Sequence, residues 1–168
     1  MMRVAAGILF RRNRVLICQR TGPGAFDGKW EFPGGKLQEG ESAAQALIRE
    51  LDEELEIRVR AEDLRFLERL LHQYPGGPLV ELHFFQVLAF EKEPVNRSFR
   101  SMRWVPRSRT ADFDFLEADR PLVARLAAGT LLPKLDPGTR PGRPEGIIAG
   151  GETWKSIPHS WTDAPPTS

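Results

Sequence analysis

Residues 29–57 read KWEFPGGKLQEGESAAQALIRELDEELEI, a double glycine followed by a helix-like run crowded with carboxylates. The run SAAQALIRELDEEL (42–55) has helical periodicity, with Ala44, Leu47, Ile48, Leu51 and Leu55 on one face at ~100° per residue. Ser42 with Gln45 three residues on forms a capping box at its start. Glu50, Glu53 and Glu54 then stand at i, i+3 and i+4 on a side away from the apolar stripe. Like charges at this spacing destabilise a helix by a few tenths of a kcal/mol per pair. Two readings follow. Either Arg49 pairs with Glu53 on an ordinary solvated face, or the carboxylates make a site for a hard cation such as Mg²⁺, which binds through carboxylates and substrate phosphates. Gly34 and Gly35, ending the strand-like WEFP, permit a tight turn and a close approach of backbone to a metal.

Working outward, RVAAGILF and RVLICQR read as two strands separated by RRNR, and TGPGAFDGKW as a loop. LRFLERLLHQY and LVELHFFQVLAFE read as strands joined by the turn PGGP, and MRWVP as a short strand stopped by Pro106. EADRPLVARLAAG reads as a last helix, with Asp119 as cap, Pro121 in the first turn and Gly129 past the end. Strands, helix, strands and helix without regular βαβ alternation predict an α+β fold, an α/β/α sandwich around a mixed sheet. Phe84, Phe85 and Trp104 read as core, and His72, His83 and His159 as structural or surface residues. Residues 1–132 form the expected domain. Residues 133–168 are a Pro/Gly-rich tail without period, which Trp154 and Trp161 could anchor to the domain or to a second subunit.

The bulk composition excludes several classes. A chain of 168 residues suits one domain with a tail. A net charge of +1 gives no field that recruits nucleic acid or membrane. The single cysteine, Cys18, excludes an internal disulfide, and its apolar surroundings mark it as a buried small hydrophobe. No apolar run approaches the ~18 residues of a membrane span, and the start is too short in apolar core for a signal peptide. A cytoplasmic location is the expectation.

Residues 35–57 resemble the Nudix box, G-x5-E-x7-R-E-U-x-E-E-x-G-U with U bulky and aliphatic. Here it reads Gly35, Glu41, Arg49, Glu50, Leu51, Glu53, Glu54 and Ile57, with Glu56 where the family has glycine. The resemblance implies a loop-helix-loop catalytic motif. In it Glu50, Glu53 and Glu54 hold Mg²⁺ (Mn²⁺ as a substitute) against a substrate pyrophosphate, helped by a carbonyl of Gly34 or Gly35. Glu41 and Arg49 brace the motif. Glu50 is ligand or general base. KWEFPGGK further resembles the MutT-like branch, which converts (deoxy)nucleoside triphosphates to monophosphate and pyrophosphate, 8-oxo-dGTP and cytidine triphosphates included. That resemblance spans about Arg3 to Leu126 and implies nucleotide contacts at Arg20, Glu31, Phe32 and Pro33, with Ala6 on the strand beneath. Asp119 takes the place of the side chain that reads the base edge, commonly asparagine. The implied partner is a small nucleotide, without a stable nucleic-acid complex or membrane, for a monomer or homodimer. Nucleotide-pool sanitation is the implied role.

One further departure stands against this pattern. A glutamate usual in the loop six residues before the late-strand tryptophan is Ser98 here, with Glu91 and Glu93 as neighbours that could substitute. The same loop carries Arg97, Arg100 and Arg103, either a solvated basic loop or extra phosphate contacts. The alternatives are hydrolysis of a nucleoside diphosphate sugar or dinucleoside polyphosphate, and a catalytically weak nucleotide-binding module.

Overall fold

The computed structural model of the chain describes residues 1–131. The expected tail, with His159, Trp154 and Trp161, lies outside them. The chain forms β1 (Met2–Arg11), β2 (Arg14–Gln19), β3 (Trp30–Glu31), β4 (Gly34–Lys36), α1 (Ala43–Leu55), β5 (Leu64–Gln73), β6 (Leu79–Val87), β7 (Ser101–Pro106) and α2 (Arg120–Ala128).

The sheet runs β3-β2-β1-β6-β5, with β4 also paired to β1 and β7 to β2. It is mixed: β1 and β6 run parallel over Met2↔Val80 to Leu9↔Val87, and the other pairs are antiparallel. Alternation along the strands sends side chains to two cores. Ala5, Leu9, Leu16, Cys18, Phe85 and Val87 face α1 through Leu47, Leu51 and Leu55. Ala6, Ile8, Val15, Ile17 and Phe84 face α2 through Leu122, Val123 and Leu126. The result is the expected α/β/α sandwich. Each fully buried leucine contributes about 2 kcal/mol of hydrophobic stabilisation.

The capping box forms as read: the Ser42 hydroxyl accepts from the Gln45 N–H, and the Gln45 side chain accepts from the Ser42 N–H. The buried stripe of α1 centres on Ala46, Leu47, Leu51 and Leu55, while Ala44 and Ile48 are only partly covered. Cys18 is fully buried, and burial together with the charges of Glu54 and Glu31 pushes its thiol well up, away from nucleophilic use.

Three expectations need correction. The run WEFP is not one strand ended by a glycine turn. It breaks after Glu31, and Gly34 and Gly35 are themselves strand residues paired to Ala6 and Ala5. The strand LVELHFFQVLAFE ends at Val87. Asp119 precedes α2 but its side chain makes no capping bond, because Glu117–Asp119 form a tight 3₁₀ turn that points Asp119 inward. Pro121 and Gly129 take their expected places, Gly129 at φ +76°.

Candidate active site

Two glycines let β4 lie against β1 on one side and α1 on the other. A β-carbon on Gly34, whose φ is +146°, would sit 2.1 Å from the Ala5 carbonyl oxygen. A β-carbon on Gly35 would sit 2.3–2.6 Å from the carboxyl atoms of Glu50. Only glycine therefore leaves room for the Glu50 head group. The Gly34 N–H donates to Glu54 Oε2 at 3.1 Å. Glu50 and Glu54 thus both address β4, whereas Glu53 is turned to solvent, 59% exposed in its side chain, 3.4 Å from Arg49 Nη1.

Arg49 ties the motif together. It grips Glu41 through Nε (2.8 Å) and Nη2 (3.0 Å), and donates to Glu50 Oε1 at 2.8 Å and to the Lys36 carbonyl at 3.1 Å. Glu41 also accepts from the Gln38 N–H at 2.9 Å. These bonds, Arg49 first, hold the Glu41 carboxyl down at about 2.

Behind this motif lies a row of acids, Asp119 buried and Glu54 and Glu31 partly buried. Glu54 is pushed up to about 8, chiefly by burial, with further repulsion from Glu31 and Glu50; the Gly34 N–H and Arg20 pull the other way. Glu31 is raised by burial and held back by Arg20, whose Nη1 donates to both its oxygens at 2.7 and 3.0 Å. Asp119, 3% exposed, is raised well above the usual range by burial and by the charge on Glu31. A hydrogen bond from the Phe32 backbone and the charge on Arg20 oppose that rise. Glu31 and Arg20 therefore act electrostatically on both Glu54 and Asp119.

Among the described residues, no three His, Cys, Asp or Glu side chains converge closely enough to hold a metal ion as they stand. The donor chemistry nevertheless fits a hard divalent cation. Oxygen donors from Glu50 and Glu54 meet a glycine backbone, and Glu54 is held protonated near neutral pH because burial and repulsion outweigh the Gly34 N–H and Arg20, a strain that such a cation would relieve.

Of the expected nucleotide contacts, Arg20 and Glu31 join the acid row. Phe32, Pro33 and Ala6 are buried, and Phe32 packs on Phe115 (5.2 Å) and edge-on to Phe84 (6.4 Å). Phe32 reaches the site through its backbone, not its ring. Ser98 is exposed. The neighbouring acids are engaged elsewhere, Glu93 with Arg11 at 2.7 Å and Glu91 with Arg60 at 3.4 Å. The loop arginines also have partners: Arg97 pairs with Glu56, Arg100 with Asp27 at 2.8 Å, and Arg103 lies 5.4 Å over the Trp30 ring. Glu56 holds the left-handed conformation that the family glycine would favour, at φ +56°. His83 bonds to Glu81 at 2.7 Å and His72 packs on Tyr74. Sequence reasoning missed Phe26 and Tyr74, which meet at 4.9 Å beside Arg20 and Asp119; a lone aromatic within a Gly/Pro loop was the available signal.

The NUDIX domain model matches residues 1–126, most of the chain and the whole of this site. The chain belongs to the Nudix family. This Nudix hydrolase is 37% identical over 124 residues to a putative 8-oxo-dGTP diphosphatase 2 of Mycobacterium tuberculosis, covering 74% of this chain and 86% of that protein. It is 31% identical over 129 residues to a CTP pyrophosphohydrolase of Escherichia coli, covering 76% and 93%. A solved MutT structure (Aliivibrio salmonicida or Vibrio cholerae) superposes with a TM-score of 0.63 at 31% identity, over 76% of this chain and 96% of that one. No helix among the described residues is long and apolar enough to cross a membrane.

Proposed function

We propose that this Nudix hydrolase is a Mg²⁺-dependent nucleoside triphosphate pyrophosphohydrolase, converting a (d)NTP and water to (d)NMP and pyrophosphate. 8-oxo-dGTP is the first candidate substrate and a cytidine triphosphate the second, and the role is nucleotide-pool sanitation. The observation that carries the reading is the acid row, in which Glu54 is raised to about 8 beside Glu50 and a glycine strand. A protein without use for a cation gains nothing from this arrangement. The relatives' names support the triphosphate class.

Glu50, Glu53 and Glu54, with a carbonyl of Gly34 or Gly35, would hold Mg²⁺ or Mn²⁺, which neutralises phosphate charge and lowers the pKa of the attacking water. Water adds to the β phosphorus and the bond to the α-phosphate oxygen breaks. Glu50, fixed between Gly35 and Arg49, serves as ligand or as the base that takes the water proton. Glu41 and Arg49 hold the loop and helix in register, and Arg20 supplies cationic charge for the nucleotide. Asp119, whose neutral form burial favours, would in that form present a donor and an acceptor to the base edge, as asparagine does.

The exposure of Ser98, with Glu91 and Glu93 engaged elsewhere, favours one competing reading, a binding module with weak turnover. A substrate panel decides between them: 8-oxo-dGTP, dGTP, CTP, dCTP, 5-methyl-dCTP, UDP-glucose and diadenosine tetraphosphate, with Mg²⁺ and then Mn²⁺. Preferential turnover of a triphosphate supports the enzyme. Turnover confined to UDP-glucose or diadenosine tetraphosphate replaces the substrate class, and affinity without turnover makes the protein a binder.

A further inference from the structure

The loop between β2 and β3 reads TGPGAFDGK (21–29) and carries one aromatic side chain, Phe26. Gly22, Gly24 and Gly28 stand at φ +141°, +111° and +74°, so the backbone turns repeatedly. Phe26 reaches across to Tyr74 just beyond β5, with ring centroids 4.9 Å apart and planes inclined at 59°. It remains 40% exposed. Next to it the loop is fastened from the other side: Arg100 Nη2 donates to both Asp27 oxygens at 2.8 and 3.0 Å, and the Arg100 N–H donates to the Gln19 carbonyl at 2.9 Å. The loop therefore holds Phe26 in a defined place with part of its surface uncovered.

That place adjoins the acid row. The Tyr74 hydroxyl takes a hydrogen bond from the Ala118 backbone, and the charges of Asp119, Glu117 and Arg20 act on it. Arg20 through Asp27 line an open hollow of about 200 Å³ on the loop itself, with Phe26 in its wall. This is smaller than the roughly 300–1,000 Å³ of pockets for whole ligands and suits one ring system. A lone exposed phenylalanine is ordinary on a protein surface. This one is backed by a second ring whose hydroxyl touches the turn bearing Asp119, beside the arginine of the acid row.

We propose that Phe26, seated on Tyr74, is the stacking surface for the nucleobase and so a substrate-binding residue of the reaction proposed above, on which this inference rests. Phe26 holds the face of the base while Asp119 reads its edge, and Arg20 leads from there to the phosphates and Glu54. Stacking on an aromatic face tolerates every base. Phe26 therefore sets affinity for a base as such, and Asp119 sets which one.

The test compares wild type, Phe26→Ala and Phe26→Trp on the nucleoside triphosphate that wild type hydrolyses best, together with inhibition by inorganic pyrophosphate, which has no base. Phe26→Ala is expected to raise KM about tenfold with kcat within about twofold of wild type and the pyrophosphate Ki unchanged, while Phe26→Trp keeps a near-wild-type KM. An unchanged KM in Phe26→Ala overturns the inference and leaves the proposed function standing. KM and pyrophosphate Ki rising together overturn it too, since Phe26 would then only prop the loop near Arg20. A wild type that hydrolyses no nucleoside triphosphate removes the proposed function, and the inference with it.

Discussion

At the scale of single residues, the two most perturbed acids give opposite uses of the same physics. Glu54 sits at about 8 in the metal-free fold against an ordinary 4.5, because burial and its neighbours disfavour its charge. The folded state then binds the proton more tightly than the unfolded chain, so stability falls as pH rises from about 4.5 to about 8. Glu54→Gln should raise the metal-free melting temperature at pH 8.5 by roughly 5 °C and leave it unchanged at pH 4. Saturating Mg²⁺ should raise that of wild type and not that of the variant. A melting curve at each pH checks this, and equal shifts at both would show that Glu54 carries no such penalty. For Asp119, burial favours the neutral acid. Asp119→Asn should keep kcat/KM within about threefold, and Asp119→Ala should lose roughly tenfold or more through an unpaired base edge. Equal losses in both variants would mean that the ionised carboxylate is required.

At the scale of the element, β4 and the end of α1 decide the site. Gly34→Ala drives a β-carbon into the Ala5 carbonyl at a φ of +146°, a backbone clash with no flexible partner to move. It should cost roughly 3 kcal/mol or more of stability. Gly35→Ala meets only the Glu50 carboxyl, which can swing away. That variant should stay folded, within about 1 kcal/mol, and lose activity on the order of 100-fold because Glu50 is displaced. Chemical denaturation alongside kinetics separates the two, and a Gly35→Ala enzyme with full activity would remove Glu50 from the chemistry. The C-terminus of α1 shows how this chain accommodates its own departure from the family pattern. Glu56 takes the left-handed position and pairs with Arg97, while the Val95 and Arg97 N–H groups donate to the Leu55 and Glu54 carbonyls at 2.8 and 3.0 Å. Arg97→Ala should cost about 0.5 kcal/mol in wild type and nothing in a Glu56→Gly background. A double-mutant cycle measures that coupling, and zero coupling would make the pair incidental.

At the scale of the whole molecule, what could be read from sequence was local. The capping box at Ser42 and Gln45, the apolar stripe of α1 and the apolar runs of β1 and β2 are written within a few residues, and they specify the sandwich. Membership of the Nudix family was legible because the box residues lie in one continuous stretch. The geometry of the site was not. Glycine has poor strand propensity, so β4 exists only through pairing with Ala5 and Ala6 some thirty residues earlier. The inward turn of Asp119 depends on the 3₁₀ turn before α2 and on the Phe32 backbone, far off in sequence. The Phe26–Tyr74 contact likewise joins a loop to a strand end. Long-range packing thus turns a legible list of acids into a row of unequal ones, with Glu53 outside and Glu54 and Asp119 within.

The most direct test of the central claim follows the phosphorus. A ³¹P NMR time course of the best nucleoside triphosphate with Mg²⁺, run on wild type and on Glu53→Gln, identifies the products as they form. Nucleoside monophosphate and pyrophosphate appearing together in wild type, with turnover reduced on the order of 100-fold or more in Glu53→Gln, is the predicted result. Release of orthophosphate, or full turnover without the Glu53 carboxylate, would contradict it.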